Sequence, residues 1–283
     1  MSNNHVEMNP KNQLGKYNFL TLLMINVTVT MPRFCRVRHL QGKVTTMNIV
    51  LMGATGGIGS ALLQQLLQID GCKIIATFAR RQPPIEAPNL SWFHFDLAQP
   101  DDPQILKEYV DGRLDSIDLW VCATGYLDGP LGGPEKSLRA LQSSKLAMDF
   151  AVNASGPMLC FAACERGLRK ADRPVAVFLS AQVGSIEDNR SGGWYGYRMS
   201  KAALNMGVKC AAIEALRWRN DACIVAVHPG TTLTNLSEKY VAKRTSNLQT
   251  AEVCADQLVA LIESIQPATT GALLRLNGET IPW

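Results

Sequence analysis

From Met47 onward the chain alternates short, uninterrupted apolar runs with stretches of helical periodicity, and few architectures accept that pattern. The runs lie at 47–52, 72–78, 90–95, 117–123, 174–180, 223–227 and 272–276. A strand that is apolar at every position buries both of its faces, as strands of a parallel sheet do when helices cover both sides. Helical spacing of apolar residues marks 60–68, 147–168 and 197–218 between them. The segments 125–136 and 184–193 are rich in Gly, Pro and polar residues and read as loops. No repeat, low-complexity tract or linker divides the pattern. The expected fold is one doubly wound, Rossmann-type α/β domain over 47–283, large enough to bury a core without metal or disulfide staples.

The first 46 residues do not share this pattern. Residues 1–16 are polar, and the apolar run 19–29 is broken by Thr21, Asn26 and Thr28, too short and too polar to span a bilayer. No Ala-x-Ala-like cleavage site follows it. We read 1–46 as a dispensable extension; its basic residues, Arg33, Arg36, Arg38 and Lys43, leave organelle targeting as the alternative. The net charge of +4 is carried by scattered residues rather than a basic stripe, which argues against nucleic acid as a partner. Eight cysteines without a Cys-x-x-Cys pair read as reduced, mostly buried thiols in a cytoplasmic protein. Cys160 and Cys164 have helical spacing but no nearby histidine to complete a metal set, so no metal is expected.

Between the first strand and the first helix stands Gly53-Ala54-Thr55-Gly56-Gly57-Ile58-Gly59. Glycines there permit a tight turn and let the backbone approach a pyrophosphate at the helix N-terminus. The reading assigns Gly53, Thr55, Gly57, Ile58 and Gly59 to a dinucleotide. An acid that would bind a ribose 2′-hydroxyl is missing from the end of the second strand, where Arg80 and Arg81 stand instead. A guanidinium suits a 2′-phosphate through bidentate, charge-assisted contacts, so NADP(H) is expected over NAD(H). Farther on, Tyr197 and Lys201 stand at i and i+4, on one helix face. A phenol titrating near 10 is a poor proton carrier at neutral pH, and an adjacent ammonium favours its phenolate.

The Gly53, Gly57, Gly59 spacing and the Tyr197-Arg198-Met199-Ser200-Lys201 run resemble the short-chain dehydrogenase/reductases, in particular the sniffer-type carbonyl reductases and C-factor proteins. The likeness covers almost everything after Met47. It implies that Asp96 and Leu97 contact adenine, that Gly125 closes the fourth strand beside the cofactor, and that Asn153 holds a relay water. It implies that Pro229, Gly230, Thr232 and Thr234 hold the nicotinamide end, with Tyr197 and Lys201 touching its ribose. The resemblance also implies a homodimer or homotetramer. His228 reads as a packed strand-end residue. The family's serine position, three before Gly184, is Ala181 here. A hydroxyl that orients the carbonyl must then come from Ser180, which we prefer, or from Ser185. The segment Cys122-Ala123-Thr124-Gly125 also departs from the family's Asn-Asn-Ala-Gly.

These residues predict hydride exchange between nicotinamide and a small carbonyl or alcohol, Tyr197 handling the proton and Asn153, Ser180 and Lys201 assisting. A nucleotide-binding regulator with little chemistry is the alternative, favoured by Ala181 and the altered Cys122 segment. The loops that would shape a substrate pocket, 126–136, 184–193 and 233–245, do not name a substrate.

Overall fold

The computed structural model describes residues 46–80, 83, 85–99, 102–241 and 247–283. Arg81 and all but Thr46 of the 1–46 extension lie outside the described residues. Six strands, β1 (Met47–Met52), β2 (Cys72–Phe78), β3 (Leu90–His94), β4 (Leu119–Cys122), β5 (Val175–Leu179) and β6 (Cys223–His228), pair in parallel. Two short strands, β7 (Thr231–Thr232) and β8 (Leu248–Gln249), pair in parallel apart from the main sheet. The last pair is β9 (Leu273–Arg275), parallel to β6, and β10 (Thr280–Ile281), antiparallel to β9. The main sheet runs β10-β9-β6-β5-β4-β1-β2-β3, so chain direction across the sheet reverses between β1 and β4. Doubly wound sheets bind ligands at that crevice, beyond the strand C-termini.

The strands are apolar throughout because each face meets a helical layer. Val50, Met52, Trp120, Phe178 and Ile224 point to one side; Ile49, Leu51, Val121, Val177 and Val225, alternating with them, point to the other. The first side packs on α2 (Pro103–Asp111), α4 (Gly156–Ala163) and α6 (Tyr195–Ala215) through Leu106, Phe161 and Val208. The second packs on α1 (Gly57–Leu66) and α7 (Ala251–Ser264) through Leu62 and Leu258. The remaining helices are α3 (Ser143–Phe150) and α5 (Glu165–Lys170).

Three features depart from the sequence reading. The helix expected over 147–168 is composite: α3 runs into a π-helical turn, Ala151–Ser155, before α4 and α5. Pro157, in the first turn of α4, has no N–H to give to the Asn153 carbonyl four residues back, so the regular ladder is interrupted there. Helices α2 and α7 and strand β10 were not expected, although α2 carries a local start signal. Asp102 accepts a hydrogen bond from Gln104 N at 2.9 Å, and Pro103 opens the helix. Lastly, α1 begins at Gly57, three residues earlier than periodicity suggested, because the glycines of the turn themselves enter the helix.

Among the described residues, one helical stretch, Ser143–Ala163, is long and apolar enough to cross a bilayer by length and composition. It carries the buried Lys145, Asp149 and Asn153 and packs on α6 and α2, as a core helix does. The centre of that layer is aromatic: Phe178 lies 4.7 Å from Trp120 and 5.3 Å from Phe161, ring centre to ring centre. Phe178→Ala, which empties this cluster, is expected to destabilise the fold by about 3–5 kcal/mol, read as a lowered urea midpoint at unchanged slope.

Candidate active site

The glycine turn begins where β1 ends. Gly53 has φ +77°, a left-handed conformation, and its N–H donates to Thr77 Oγ1 at 2.9 Å. Gly59 packs so closely on the turn that a Cβ there would fall 2.2 Å from the Gly53 carbonyl oxygen. Gly56 caps α1 without a side-chain hydrogen bond, so no side chain occupies the leading N–H groups of the helix. Such a helix end attracts phosphate oxygens.

A cleft of about 320 Å³ opens over this turn. Gly53, Thr55, Gly57 and Ile58 form its floor, with Arg80 at the end of β2, Asp96 and Leu97 after β3, and Gly125 after β4. Thr234, also on its wall, lies across the turn: a Cβ on Gly57 would meet Thr234 Cγ2 at 2.6 Å. Asp96 Oδ1 accepts a hydrogen bond from Ala98 N at 3.0 Å, which shapes the turn after β3. Pro229, Gly230 and Thr232 do not line the cleft. The Pro229 carbonyl accepts from Thr232 Oγ1 and Gln249 Nε2, and Gly230, at φ +70°, turns the chain toward Thr234. These three residues shape the segment that brings Thr234 over the glycines.

Tyr197 and Lys201 share a face of α6, as their spacing predicts. Lys201 is buried; its Nζ donates to the Leu179 carbonyl at 2.9 Å and lies 5.8 Å from the centre of the Tyr197 ring. Burial lowers the ammonium to about 8, offset in part by the facing Cys122 thiol. Lys201 stands where an ammonium would favour phenolate, but other influences act the other way on the phenol. Burial, and then the Asp149 carboxylate, push Tyr197 up to about 12.

Asn153 is fully buried, and its amide bridges three groups. It accepts from Tyr126 N at 2.7 Å and donates to Tyr126 O at 2.8 Å and to Ser200 Oγ at 3.1 Å. The side chain therefore ties the cleft wall to α6 and has little capacity left for a water. The proton of Ser180 is engaged, whereas Ser185 only accepts and keeps its own proton to give. Ser180, 3% exposed, donates to Asn205 Oδ1 at 2.6 Å; Ser185, 2% exposed, accepts from Asp188 N at 3.1 Å. The carbonyl-orienting role expected of Ser180 is thus unsupported here, because its proton satisfies a buried amide oxygen. His228 is held down at about 4 by burial and by the Arg275 charge, a packed neutral imidazole as expected.

Sequence reasoning missed the groups behind Tyr197. Lys145 and Asp149, both buried, pair at 2.8 and 2.7 Å, and Glu135 accepts from Gly196 N at 3.0 Å. The Lys145, Asp149, Asn153 spacing, every fourth residue along one helix, was the available signal. Among the described residues no cluster has the makings of a metal site.

Comparison with known proteins places these features. Residues 47–245 match the short chain dehydrogenase family. An uncharacterized oxidoreductase of Schizosaccharomyces pombe is 23% identical over 256 residues, 82% of this chain and 96% of the relative. The C-signal protein of Myxococcus xanthus is 30% identical over 139 residues, 49% of this chain and 78% of that protein. Among solved structures, the carbonyl reductase Sniffer of D. melanogaster superposes with a TM-score of 0.74 at 21% identity, covering 84% of this chain and all of that one. An NADPH-bound carbonyl reductase from chicken fatty liver gives 0.72 at 20% identity, covering 85% and 96%. With a glycine turn at the switch point and Tyr197 and Lys201 on one helix beside it, the chain belongs to the short-chain dehydrogenase/reductase family of NAD(P)-dependent oxidoreductases.

Proposed function

We propose that the protein is an NADP(H)-dependent reductase of small carbonyl compounds, with Tyr197 as the proton donor. The observation that carries this reading is the coupling of two features through Asn153. The cleft wall at Tyr126 and the helix bearing Tyr197 and Lys201 are held together by one buried amide. The uncapped N-terminus of α1 fits a pyrophosphate, and glycine at 53 and 59 lets the turn close this tightly beside it, since a Cβ at either would strike Thr124 or the Gly53 carbonyl. The bound nicotinamide would supply the hydride. Tyr197 would give its proton to the carbonyl oxygen as that oxygen gains charge. Lys201 would stabilise the phenolate left behind and reach the cofactor ribose. Titrating near 8, it exchanges protons within the working range.

Arg80 on the cleft wall supports NADP(H), and the NADPH-bound chicken reductase and an NADP-bound Burkholderia multivorans structure share this fold. Seven cysteines are free in the described residues, which fits a reducing, cytoplasmic setting. Leu159, Met206 and Ile213, exposed on α4 and α6, fit the homodimer or homotetramer reading. The committed hydroxyl of Ser180 favours the second reading, a nucleotide-binding regulator with little chemistry.

NADPH oxidation with a panel of aldehydes, ketones and quinones separates the two. Tyr197→Phe is expected to lower turnover by about 10²–10⁴-fold; wild-type and variant traces that coincide would establish the regulator. Arg80→Asp should weaken NADPH binding by about tenfold or more while sparing NADH, in fluorescence titrations. An unchanged ratio of the two affinities removes Arg80 from the assignment.

A further inference from the structure

The residues that lead into α6 follow a backbone path that few side chains accept. Gly192, Gly193 and Trp194 succeed one another at φ +61°, +64° and +53°. Glycine adopts this left-handed conformation freely; for a tryptophan it is an outlier that persists only where the surroundings hold it. Hydrogen bonds hold it on both sides. Arg198 Nε donates to the Gly193 carbonyl at 3.0 Å, Trp194 N to the Glu135 carbonyl, and Gly196 N to Glu135 Oε2 at 3.0 Å. Glu135 is buried and lies sixty-one residues before Gly196, so a distant carboxylate replaces the side-chain cap that this helix lacks.

That conformation fixes where the indole stands. Trp194, Tyr197 and Lys201 are spaced by three and four residues, so they fall on one face at the start of α6. Lys201 is bonded to the Leu179 carbonyl at the end of β5, and its ammonium lies 5.8 Å from the centre of the Tyr197 ring. Trp194 flanks Tyr197 on the N-terminal side, with ring centres 6.2 Å apart and planes at 68°. A carbonyl compound that reaches the phenol from the side away from Lys201 therefore meets the indole.

Trp194 is backed in turn by Tyr240, with ring centres 5.5 Å apart and planes at 73°. Edge-to-face pairs at such separations are the arrangement that ring quadrupoles favour. Tyr240 belongs to the segment after Thr234, and two contacts tie that segment to the loop after β4. Its hydroxyl lies over Gly133, leaving no room for a Cβ there, and Lys239 bonds Asp128 at 2.9 Å. Trp194, Tyr197 and Tyr240 are each half-buried, so part of every ring stays open to a ligand. Arg198 and Lys239, next in sequence to Tyr197 and Tyr240, are engaged with main-chain carbonyls and with Asp128. The wall they flank is aromatic and uncharged.

We propose that Trp194 is a specificity-determining residue: its indole, held by Glu135 and backed by Tyr240, is the surface on which the substrate's own ring packs. The enzyme then favours uncharged carbonyl compounds that carry an aromatic ring next to the carbonyl. The proposal rests on Tyr197 being the proton donor, because the indole is placed relative to that phenol. A saturated ring of the same size covers similar apolar area, but it has no quadrupole to match the edge or face of the indole. The discrimination is therefore read between benzaldehyde and cyclohexanecarbaldehyde, which are alike in size and charge.

The test measures kcat/KM of the full chain for both aldehydes with NADPH and compares the benzaldehyde-to-cyclohexanecarbaldehyde ratio between variants, so that the inherent reactivity of the two cancels. Trp194→Gly removes the indole and keeps a residue that accepts the left-handed turn. The ratio is expected to fall by about tenfold in Trp194→Gly and by about threefold in Tyr240→Leu, and to stay within about twofold of wild type in Trp194→Phe. Activity that drops equally with both aldehydes in Trp194→Gly shows a structural role alone and overturns the proposal. Should Trp194→Gly not fold, the Tyr240→Leu ratio decides: a fall supports the proposal and an unchanged ratio overturns it. A wild-type protein that reduces no carbonyl sinks the reductase reading, and binding then decides the role of Trp194. With NADP+ present, the preference for benzamide over cyclohexanecarboxamide, measured by calorimetry, should be about tenfold greater in wild type than in Trp194→Gly; equal preferences overturn the proposal.

Discussion

The site depends on one helix face. Along α3 and the π-helical turn, Lys145, Asp149 and Asn153 recur every fourth residue, and each is buried. Asp149 lies against Gly196, and one turn farther on Asn153 bonds Ser200, so the two helices are matched turn for turn. Through the same amide, Asn153 fixes the backbone of Tyr126, part of the cleft wall. Displacing this face would separate the cleft from the helix that carries Tyr197 and Lys201.

Burying charge is destabilising unless the charge is answered. Among the described residues, Lys145 and Lys201 are buried and are answered differently. Lys145 meets a carboxylate in a two-bond pair and stays within a charged cluster. Lys201 meets a neutral carbonyl, and burial brings its titration down to about 8. One lysine is therefore held in an ion pair, while burial brings the titration of the other nearer to neutral. Cys122, which stands where related chains carry asparagine, places a thiol beside Lys201.

Much of the architecture was legible in the chain because its signals are local. Apolar runs gave β1 to β6 within a residue or two, and the glycine turn lay where the first strand meets the first helix. The break at Pro157 was also a local signal, masked by the apolar run at 158–163 that follows it. Helix α2 had its Asp102-Pro103 start, but its mixed composition hid the periodicity. Strand β10 has only two residues, too few for any pattern.

The sequence by itself determined a parallel sheet, a phosphate-sized turn at its switch point, and Tyr197 and Lys201 on one face. Those follow from uninterrupted apolar runs, from a helical period of 3.6 residues and from glycine's freedom at Gly53. Tertiary structure decided where each buried polar group finds its partner. Ser180 turns to Asn205, Asn153 to Tyr126 and Ser200, and Glu135 to Gly196, across 25 to 61 residues of chain. A hydroxyl or carboxylate in the sequence carries no mark of the distant group that will satisfy it. Whether Ser180 turns to a substrate or to an amide was settled only when the helices packed.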